Sequence, residues 1–550
     1  MDIALAGADD EVDLAVLDGD GRPGPVERLP ASALAGRVAE LERRGPRWVW
    51  ADTARWHPRL LAAGVAVGRV QDLRLGHAVL ARSRYLQAPL PDDERWRPAD
   101  ADVGTGEPTL LDLPAQGRAP DLAEVVDEHR RQQQAVEGSA MRDRLRLLLA
   151  AESAGALVAA ELTAVGLPFD EAVHDALLTR LLGPRPLPGG RPARLEALAE
   201  EVRTLLQAPG LNPDSAPDLL RALHSQGLTV DTTRQWDLEQ LDHAVVGPLL
   251  EYKKLARLLS ANGWTWLAAW VRDGRFRPEY VPAGVVTGRW AARGGGALQL
   301  PKQVRAAVVA APGRRLVVAD AAQLEPRVLA AMARDEAMAR ASRAGDLYQA
   351  LVDDGVVDTR AHAKVAMLGA LYGATSGEAG HLMPRLLRSY PRATGQVEEA
   401  ARAGERGEVV TTWLGRSSPP PPASWHAVQQ RASLPEATAA DQRRARSQAR
   451  DQGRFTRNFV VQGTAAEWAL CWLADLRRRL RELGEVGGVR PALVYFLHDE
   501  VIVETPVALA EPVAEAVRAA ARRAGELLFG RFPVEFALDV ACVQSYAEAG

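Results

Sequence analysis

Two aspartates stand beside strongly apolar runs in this chain of 550 residues. Asp320 ends the apolar run of RRLVVADAAQLEPR, and Asp499 lies between the two apolar halves of ALVYFLHDEVIVE. Acidic side chains crowded between buried strands repel each other unless a cation lies among them. Phosphoryl and nucleotidyl transfer use a pair of Mg²⁺ ions, about 3.5–4 Å apart, held in this way. The two aspartates therefore predict a two-metal centre on adjacent strands of one sheet.

The second aspartate is predicted to lie at the tip of an antiparallel hairpin. The strands are the apolar runs Ala492–Leu497 and Val501–Glu504. The connection is His498, Asp499 and Glu500, which lacks the Gly or Asn that a tight hairpin turn favours.

Asp320 has a simpler alternative. An aspartate that follows a strand is commonly the cap of the next helix, and the next helix is predicted to start near Gln323. The metal interpretation of Asp320 therefore depends on the residues that lie between the two aspartates.

A helix with a charged row is predicted over Asp358–Tyr372. Four residues recur at intervals of four and share one face of it: Arg360, Lys364, Leu368 and Tyr372. Two cations at one end and an aromatic ring at the other match a nucleoside triphosphate laid along the helix. An ordinary amphipathic helix with a solvated cationic end would show the same row.

A second polar row lies in a helix predicted over Arg454–Arg479. Arg454, Asn458 and Gln462 share one face of this helix. Their donors and amides suit the minor-groove acceptors of a duplex, which are nearly the same for every base pair. A basic run upstream could bind backbone phosphates or could be a solvated helix face, and it consists of Arg443, Arg444, Arg446 and Arg450.

Several predicted domains and structural elements must hold these residues in position. Residues 1 to about 145 mix short apolar runs with helical stretches and many Pro, Gly and Asp, which predicts a small α/β domain. Residues 142–271 have apolar residues at helical spacing, which predicts an α-rich region. Strand and helix signals then alternate up to the second aspartate.

Composition narrows the class of protein. The formal net charge is −4, so a nucleic-acid partner would have to be bound by a locally basic surface. Two cysteines are too few for a disulfide framework, which favours a reducing cytoplasm. The acidic start is unlike a signal peptide, and no apolar run is expected to reach membrane-spanning length, so no membrane partner is expected.

Five motifs in order resemble those of the DNA polymerase I family, family A. The family's Asp-Tyr-Ser-Gln-Ile-Glu-Leu-Arg corresponds to DAAQLEPR (320–327), and its Val-His-Asp-Glu corresponds to LHDE (497–500). The family's Arg-x3-Lys-x3-Phe-Gly-x2-Tyr-Gly corresponds to RAHAKVAMLGALYG (360–373). Its Thr-Gly-Arg and Gln-Gly-Thr-Ala-Ala segments correspond to VTGRW (286–290) and QGTAAE (462–467). The resemblance covers about residues 145–550.

The resemblance implies a multidomain α/β and α+β protein. An RNase H-like exonuclease-type domain is expected over residues 1–145, and a right-hand polymerase is expected over residues 146–550. The parts of the hand are a helical thumb (about 150–275), an antiparallel-sheet palm (about 276–340 and 454–550) and helical fingers (about 341–453). Residues 1–145 do not supply the four carboxylates of a 3′–5′ exonuclease, so this domain is expected to be degenerate and inactive.

The resemblance also implies roles for single residues. Asp320 and Asp499 would bind two Mg²⁺ ions, with Glu500 nearby. Glu325 would be the steric gate against a ribose 2′-hydroxyl, and Tyr372 would guard the templating position. The remaining dNTP contacts would be Gln323, Arg360, Lys364 and Leu368. Primer-template DNA would be contacted by Arg289, Arg454, Asn458, Gln462 and His498. A cytoplasmic, nucleoid-associated enzyme of DNA replication or repair is expected.

Several positions depart from the family pattern. Ala321, Pro326, Tyr348, Leu368 and Glu467 stand where the family has Tyr, Leu, His, an aromatic residue and Asp. The charged residues are kept, so an active polymerase with altered packing around the sugar is expected. Two alternatives stay open. One is a single-subunit RNA polymerase, against which Glu325 argues, and the other is a weakly active or inactive DNA-binding homologue.

Overall fold

A computed structural model describes residues 1–91, 93–97, 119–187, 189–293, 300–343, 345–373 and 377–549. The chain forms two compact units. The first unit comprises Met1–Val165, Glu279–Ala292 and Val317–Cys542. The second unit comprises Gly166–Pro278, Arg293–Leu316 and Val543–Gly550.

The N-terminal part of the first unit is a five-stranded mixed sheet with helices. The strands are β1 (Asp2–Gly7), β2 (Glu11–Leu17), β3 (Glu27–Pro30), β4 (Arg47–Trp50) and β5 (Arg69–Asp72). The helices are α1 (Leu34–Glu42), α2 (Thr53–Ala62), α3 (Leu73–Leu80), α4 (Leu122–Glu137) and α5 (Arg142–Val165). The sheet order is β3-β2-β1-β4-β5, with β1 to β3 antiparallel and β4 and β5 parallel to β1. The four central residues of β1 are all buried, as expected for a strand covered on both faces. The predicted α/β architecture is confirmed.

Helix α5 corrects the expectation about membrane-spanning runs. Among the described residues it is the one helix long and apolar enough to cross a membrane by length and composition. However, 56% of its most apolar window is buried, and Leu157 belongs to the core of the N-terminal sheet. A buried core helix passes the same test of length and composition. The expected domain limit at residue 145 falls inside this helix.

The second unit is mainly helical. Its helices are α6 (Glu171–Leu182), α7 (Ala193–Leu205), α8 (Ala216–Ser225), α9 (Gln235–Leu238), α10 (Val246–Asn262) and α11 (Trp264–Trp270). A small sheet accompanies them, formed by β6 (Leu167–Pro168), β7 (Val271–Arg272) and β8 (Arg275–Phe276). Apolar side chains of α7, α8 and α10, such as Val202, Leu219 and Leu249, form one fully buried cluster. The α-rich prediction for residues 142–271 is confirmed.

The remaining strands form a two-stranded ribbon and a four-stranded sheet. They are β9 (Glu279–Val281), β10 (Ala291–Arg293), β11 (Arg314–Ala321), β12 (Ala492–Leu497), β13 (Glu500–Pro506) and β14 (Leu538–Val543). The larger sheet has the order β12-β13-β11-β14, and β12 and β13 are the predicted antiparallel hairpin. Strand β11 continues one residue past Asp320, so the aspartate at the end of the apolar run lies within the strand.

Nine helices accompany these strands in the described part of the chain. They are α12 (Leu324–Ala333), α13 (Glu336–Ser342), α14 (Leu347–Asp353), α15 (Arg360–Tyr372), α16 (Gly377–Ser389), α17 (Pro391–Glu405), α18 (Ala423–Ser433), α19 (Ala439–Glu482) and α20 (Ala510–Phe529). Helix α15 begins at Arg360 rather than Asp358, because the Thr359 hydroxyl caps it by accepting from the His362 N–H.

Helix α19 begins well before the predicted start at Arg454. Its first turn is stabilised by a capping box, in which the side chains of Thr438 and Asp441 accept each other's backbone N–H. The basic run upstream of Arg454 is therefore part of the same helix of 44 residues. At its other end, the buried Arg477 donates to the carbonyl oxygens of Val67 and Gly68 over 2.6 and 2.9 Å. These bonds attach the helix to the N-terminal part of the first unit.

Candidate active site

The two aspartates lie on neighbouring segments of the larger sheet, a strand and a hairpin turn. Asp320 is the last residue but one of β11, and Asp499 occupies the turn between β12 and β13. The N–H of Ala321 donates to the carbonyl oxygen of Asp499 over 2.8 Å. Burial, followed by the charge of Asp320, raises the pKa of Asp499 to about 7. Two carboxylates that repel each other in a partly buried place provide the electrostatic condition under which cations bind.

Two residues beside these aspartates have strained backbones. His498 in the hairpin turn has a φ of 52°, and Gln323 after β11 has a φ of 55°. Both values lie in the left-handed region, which costs a residue other than glycine about 1 kcal/mol or more.

Gln323, and not Asp320, is the N-cap residue of α12, and it makes no side-chain cap bond. The helix-cap alternative for Asp320 is therefore wrong.

Mg²⁺ fits this pair only with help from a ligand. Among the described residues, no group of three or more His, Cys, Asp and Glu side chains could hold a metal ion. However, Mg²⁺ commonly takes one or two carboxylates from a protein and completes its octahedron with water and substrate phosphates. Asp320 and Asp499 match that pattern. The buried Glu500, which opens β13, is close enough to contribute to the raised pKa of Asp499.

The two halves of the predicted row on α15 have different surroundings. Leu368 and Tyr372 line a cavity of about 210 Å³ that Asp499 also lines. Arg360 and Lys364 lie at the N-terminal end of the helix and are exposed. The row thus runs from the cavity wall to a cationic end that is accessible to a ligand.

Asp346 holds Arg360, and the sequence did not predict this role. The Asp346 carboxylate accepts from Arg360 Nε over 2.6 Å and from Gln323 Nε2 over 2.7 Å. The Cζ atom of Arg360 lies 5.7 Å from the ring centroid of Tyr348. Asp346 therefore connects the corner after β11 with the start of α15. Its sequence signal is only that of a helix N-cap, which it also is, for α14.

Glu325 is fixed from both sides in the cavity wall. The Tyr372 hydroxyl donates to Glu325 Oε2 over 2.7 Å, and Arg289 forms an ion pair with Oε1. Burial and the bond to Glu325 raise the pKa of Tyr372 to about 12. Other predicted residues in this wall are Gln323, Leu368 and His498. The apolar part of the wall was not predicted, and it includes Trp290, Leu470 and Phe496.

The predicted polar row of α19 lies beside the C-terminal end of α15. Gln462 interacts with the Tyr372 hydroxyl, and this interaction opposes the rise in the pKa of Tyr372 that burial and Glu325 cause. Asn458 has a buried Oδ1 atom without a hydrogen-bond partner among the described residues. Arg454 is exposed and pairs with Asp451, and its Cγ would lie 3.2 Å from a Cβ atom at Gly373. The buried acceptor of Asn458 is a group that a bound ligand could satisfy.

A buried charged cluster lies against Gly288, next to Arg289. It contains Arg416, Glu152 of α5 and Glu467 of α19, and Arg416 forms an ion pair with Glu152. Glu467 accepts from the Leu414 N–H over 2.9 Å. Gly288 has a φ of 88°, and a Cβ atom there would lie 2.8 Å from Arg416 Nε. The close approach of the guanidinium explains the glycine of the VTGRW motif.

We expect Glu467→Gln to remove a pH-dependent loss of stability. Burial raises the pKa of Glu467 from 4.5 to about 7 in the folded protein. The folded state therefore binds more protons than the unfolded chain between these values. As a result, the contribution of this group to the free energy of unfolding falls as pH rises from 4.5 to 7, by up to about 3 kcal/mol.

Urea denaturation at several pH values between 5 and 8 tests this expectation. The stability of Glu467→Gln relative to the wild type should increase with pH across this range. Glu482→Gln, in the last turn of the same helix, is the control and should show no such trend. A difference for Glu467→Gln that stays constant with pH would contradict the expectation.

The sequence of this chain is similar to those of known DNA polymerases. A family model described as DNA polymerase family A matches residues 192–548. The chain is 28% identical over 330 residues to DNA polymerase I of Chloroflexus aurantiacus, which covers 54% of the chain and 32% of that protein. It is 28% identical over 423 residues to the thermostable DNA polymerase I of Thermus thermophilus, which covers 70% of the chain and 46% of that protein. The chain thus matches a third to a half of the length of these curated relatives.

A solved structure has the same fold. It is the POL domain of Pol1 from M. smegmatis in complex with DNA primer-template and dNTP. The TM-score is 0.71 at 18% sequence identity, and the match covers 100% of this chain and 95% of the other. The likeness therefore extends over the N-terminal sheet as well as the larger one.

Proposed function

Because this chain belongs to DNA polymerase family A, we propose that it is a template-directed DNA polymerase that adds dNTPs to a primer 3′-end. The observation that supports this most is the position of Asp320 in β11 and of Asp499 in the turn before the neighbouring strand β13, beside a cavity walled by α15. The solved relative was captured with a primer-template and a dNTP, which are the substrates proposed for this chain.

The proposed reaction is nucleotidyl transfer. The primer 3′-hydroxyl attacks the α-phosphate of the dNTP, and pyrophosphate leaves. Asp320 and Asp499 would hold two Mg²⁺ ions, which when bound neutralise the triphosphate and favour loss of the proton of the primer hydroxyl. Arg360 and Lys364 bind the triphosphate at the exposed end of α15. Tyr372 lies at the templating position, at the other end.

The DNA contacts follow the same arrangement. Gln462 and Asn458 lie along the cavity side of α19, and Arg289 and His498 lie near Asp499. Arg454 continues the row toward solvent. We assign these five residues to the primer terminus and the minor groove, and we assign the remaining dNTP contacts to Gln323 and Leu368.

Primer extension with Mg²⁺ and separate dNTP and rNTP mixtures tests the proposal against its alternatives. A DNA polymerase extends with dNTPs and poorly with rNTPs. Extension mainly with rNTPs would identify an RNA polymerase. Absence of extension together with retained DNA binding would identify an inactive homologue.

Glu325→Ala is expected to weaken discrimination against ribonucleotides. The carboxylate is held by Tyr372 and Arg289 in the cavity wall, where it would exclude a 2′-hydroxyl. Steady-state incorporation should show the ratio of dNTP to rNTP efficiency falling by about 10-fold or more, as expected when a steric contact is lost. An unchanged ratio would refute the gate.

We infer that the N-terminal part is an RNase H-like, exonuclease-type domain without nuclease activity. The mixed sheet with order β3-β2-β1-β4-β5 supports the fold. The centre of β1 is the apolar segment Ile3–Ala6, and Asp9, beyond the strand, is paired with Arg59 over 2.7 Å. A 3′ mismatch should therefore survive incubation with Mg²⁺ without dNTPs. Its removal by the Asp499→Ala variant would overturn this inference.

The parts of the hand stay a proposal with the predicted limits. Helices α6 to α11 fall within the proposed thumb (about 150–275), the sheet of β11 to β14 falls within the palm (about 276–340 and 454–550), and α14 to α18 fall within the fingers (about 341–453). A role in replication or repair and a cytoplasmic, nucleoid-associated location remain predictions.

A further inference from the structure

Helix α19 carries an arginine face outside the cavity, formed by Arg443, Arg446 and Arg450. Their spacing of three and four residues places them within roughly 60° of one another around the helix, with neighbours about 5–6 Å apart. All three side chains are exposed. Arg444 is exposed as well, but it points about 100° away from Arg443 and does not belong to this face.

The positive charge of this face is not compensated. None of the three side chains has an ion pair or hydrogen bond to another residue in the described ranges. The carboxylates of the same stretch are engaged elsewhere, because Asp441 pairs with Arg431 and Asp451 pairs with Arg454. At the other end of the helix, in contrast, Arg478 and Arg479 both pair with Asp475. Three adjacent unpaired cations are a surface suited to a polyanion.

The face leads to the cavity. One further step of four residues brings it to Arg454, which packs against Gly373 at the C-terminal end of α15. Tyr372, the preceding residue, lines the cavity and is the residue proposed for the templating position. The distance along the helix from Arg443 to Arg454 is about 16 Å. A strand that passes Tyr372 on its way into the cavity can therefore run along this face.

We propose that the arginine face of Arg443, Arg446 and Arg450 binds the sugar-phosphate backbone of the single-stranded template ahead of the cavity. The proposal rests on the proposed polymerase function and specifies a strand for a surface that this function leaves unused. We assign this row to the template, because the template is the strand that is still unpaired where it reaches Tyr372. Contacts of this kind do not depend on base sequence.

Fluorescence anisotropy with labelled primer-templates, in buffer without divalent metal, tests the proposal. The duplex is kept constant, and the 5′ template overhang is about 1 or about 8 nucleotides long. The full chain should bind the longer overhang about 10-fold more tightly at low salt. The variant Arg443→Gln/Arg446→Gln/Arg450→Gln should lose this gain and bind both substrates equally. For the long overhang, its slope of log affinity against log salt should be smaller by about 2.

A matched control removes three exposed arginines that have carboxylate partners. Arg478→Gln/Arg490→Gln/Arg522→Gln changes the net charge by the same amount and should keep the preference for the long overhang. Equal losses of affinity for both overhangs in the test variant would mean that the face contacts the duplex, and would overturn the proposal. A test variant that behaves like the control would overturn it too. If the wild type fails to bind either substrate, the proposed polymerase function fails instead.

Discussion

Asp499→Asn is expected to lower the rate of nucleotide addition by about 10³-fold or more. The backbone carbonyl of Asp499 accepts from the strand of Asp320, and burial, followed by the charge of Asp320, raises the pKa of Asp499, which indicates that the two groups share one electrostatic environment. An amide keeps the shape of the side chain but removes the charge that would hold a cation. The loss of metal-assisted charge stabilisation is among the largest single effects available in such a reaction.

The measurement is single-turnover primer extension at saturating dNTP, together with primer-template binding. Binding should change by no more than about twofold, since the phosphate contacts that dominate DNA affinity are made by other residues. Asp353→Asn removes an exposed aspartate at the end of α14, outside the cavity, and should leave the rate unchanged. Near wild-type turnover in Asp499→Asn would exclude the two-metal proposal.

Arg477→Met is expected to lower the free energy of unfolding by about 3–5 kcal/mol. Arg477 is buried in α19, and besides its bonds to Val67 and Gly68 it donates to both carboxylate oxygens of Glu161 in α5. Burial alone would raise the pKa of Glu161, but the bonds from Arg477 and His57 lower it to about 2. Without the guanidinium, the partly buried Glu161 carboxylate keeps His57 but loses the two bonds from Arg477, and two carbonyl groups lose their donor.

The pH dependence of this contribution has the usual sign for a carboxylate with a depressed pKa. It is fully present above the unfolded value of 4.5 and is lost as pH falls toward about 2. Urea denaturation at pH 7, followed by tryptophan fluorescence, is therefore the suitable measurement. Arg478→Met, an exposed neighbour, is the control, and adding Glu161→Gln to Arg477→Met should recover part of the loss. Equal effects of Arg477→Met and Arg478→Met would show that the buried arginine is not an important connection.

The sequence was sufficient to locate the residues to which the proposed chemistry is assigned. Asp320, Asp499 and the row of α15 have local signals, since each belongs to an apolar strand or to a helical repeat that is readable over about ten residues. The hairpin of β12 and β13 was predicted for the same reason. The start of α19 also has a local signal, the Thr438 and Asp441 pair, although the helix predicted from the polar row begins only at Arg454.

Other features depend on contacts between distant segments. Arg416 and Glu152 are 264 residues apart, and nothing near either residue in the sequence indicates their ion pair. The sequence around Asp346 indicates only a helix cap. Its bond to Arg360 forms only when α14 and α15 pack together. Helix α5 is apolar enough to resemble a membrane span because the surfaces that bury it come from other parts of the chain. Such features follow from tertiary packing, which local patterns do not encode.

Because α19 is one continuous helix, it restricts which insertions and deletions the sequence of this chain can tolerate. Each residue advances an α-helix by about 100°, so one inserted or deleted residue would swing everything downstream out of phase with everything upstream. Arg450, Gln462 and Arg477 lie in three successive parts of the helix, and the contacts of each depend on the direction in which its side chain points from the helix axis. A point substitution along α19 therefore affects the contacts of one residue, whereas a change of length between these three residues would misdirect at least one of them.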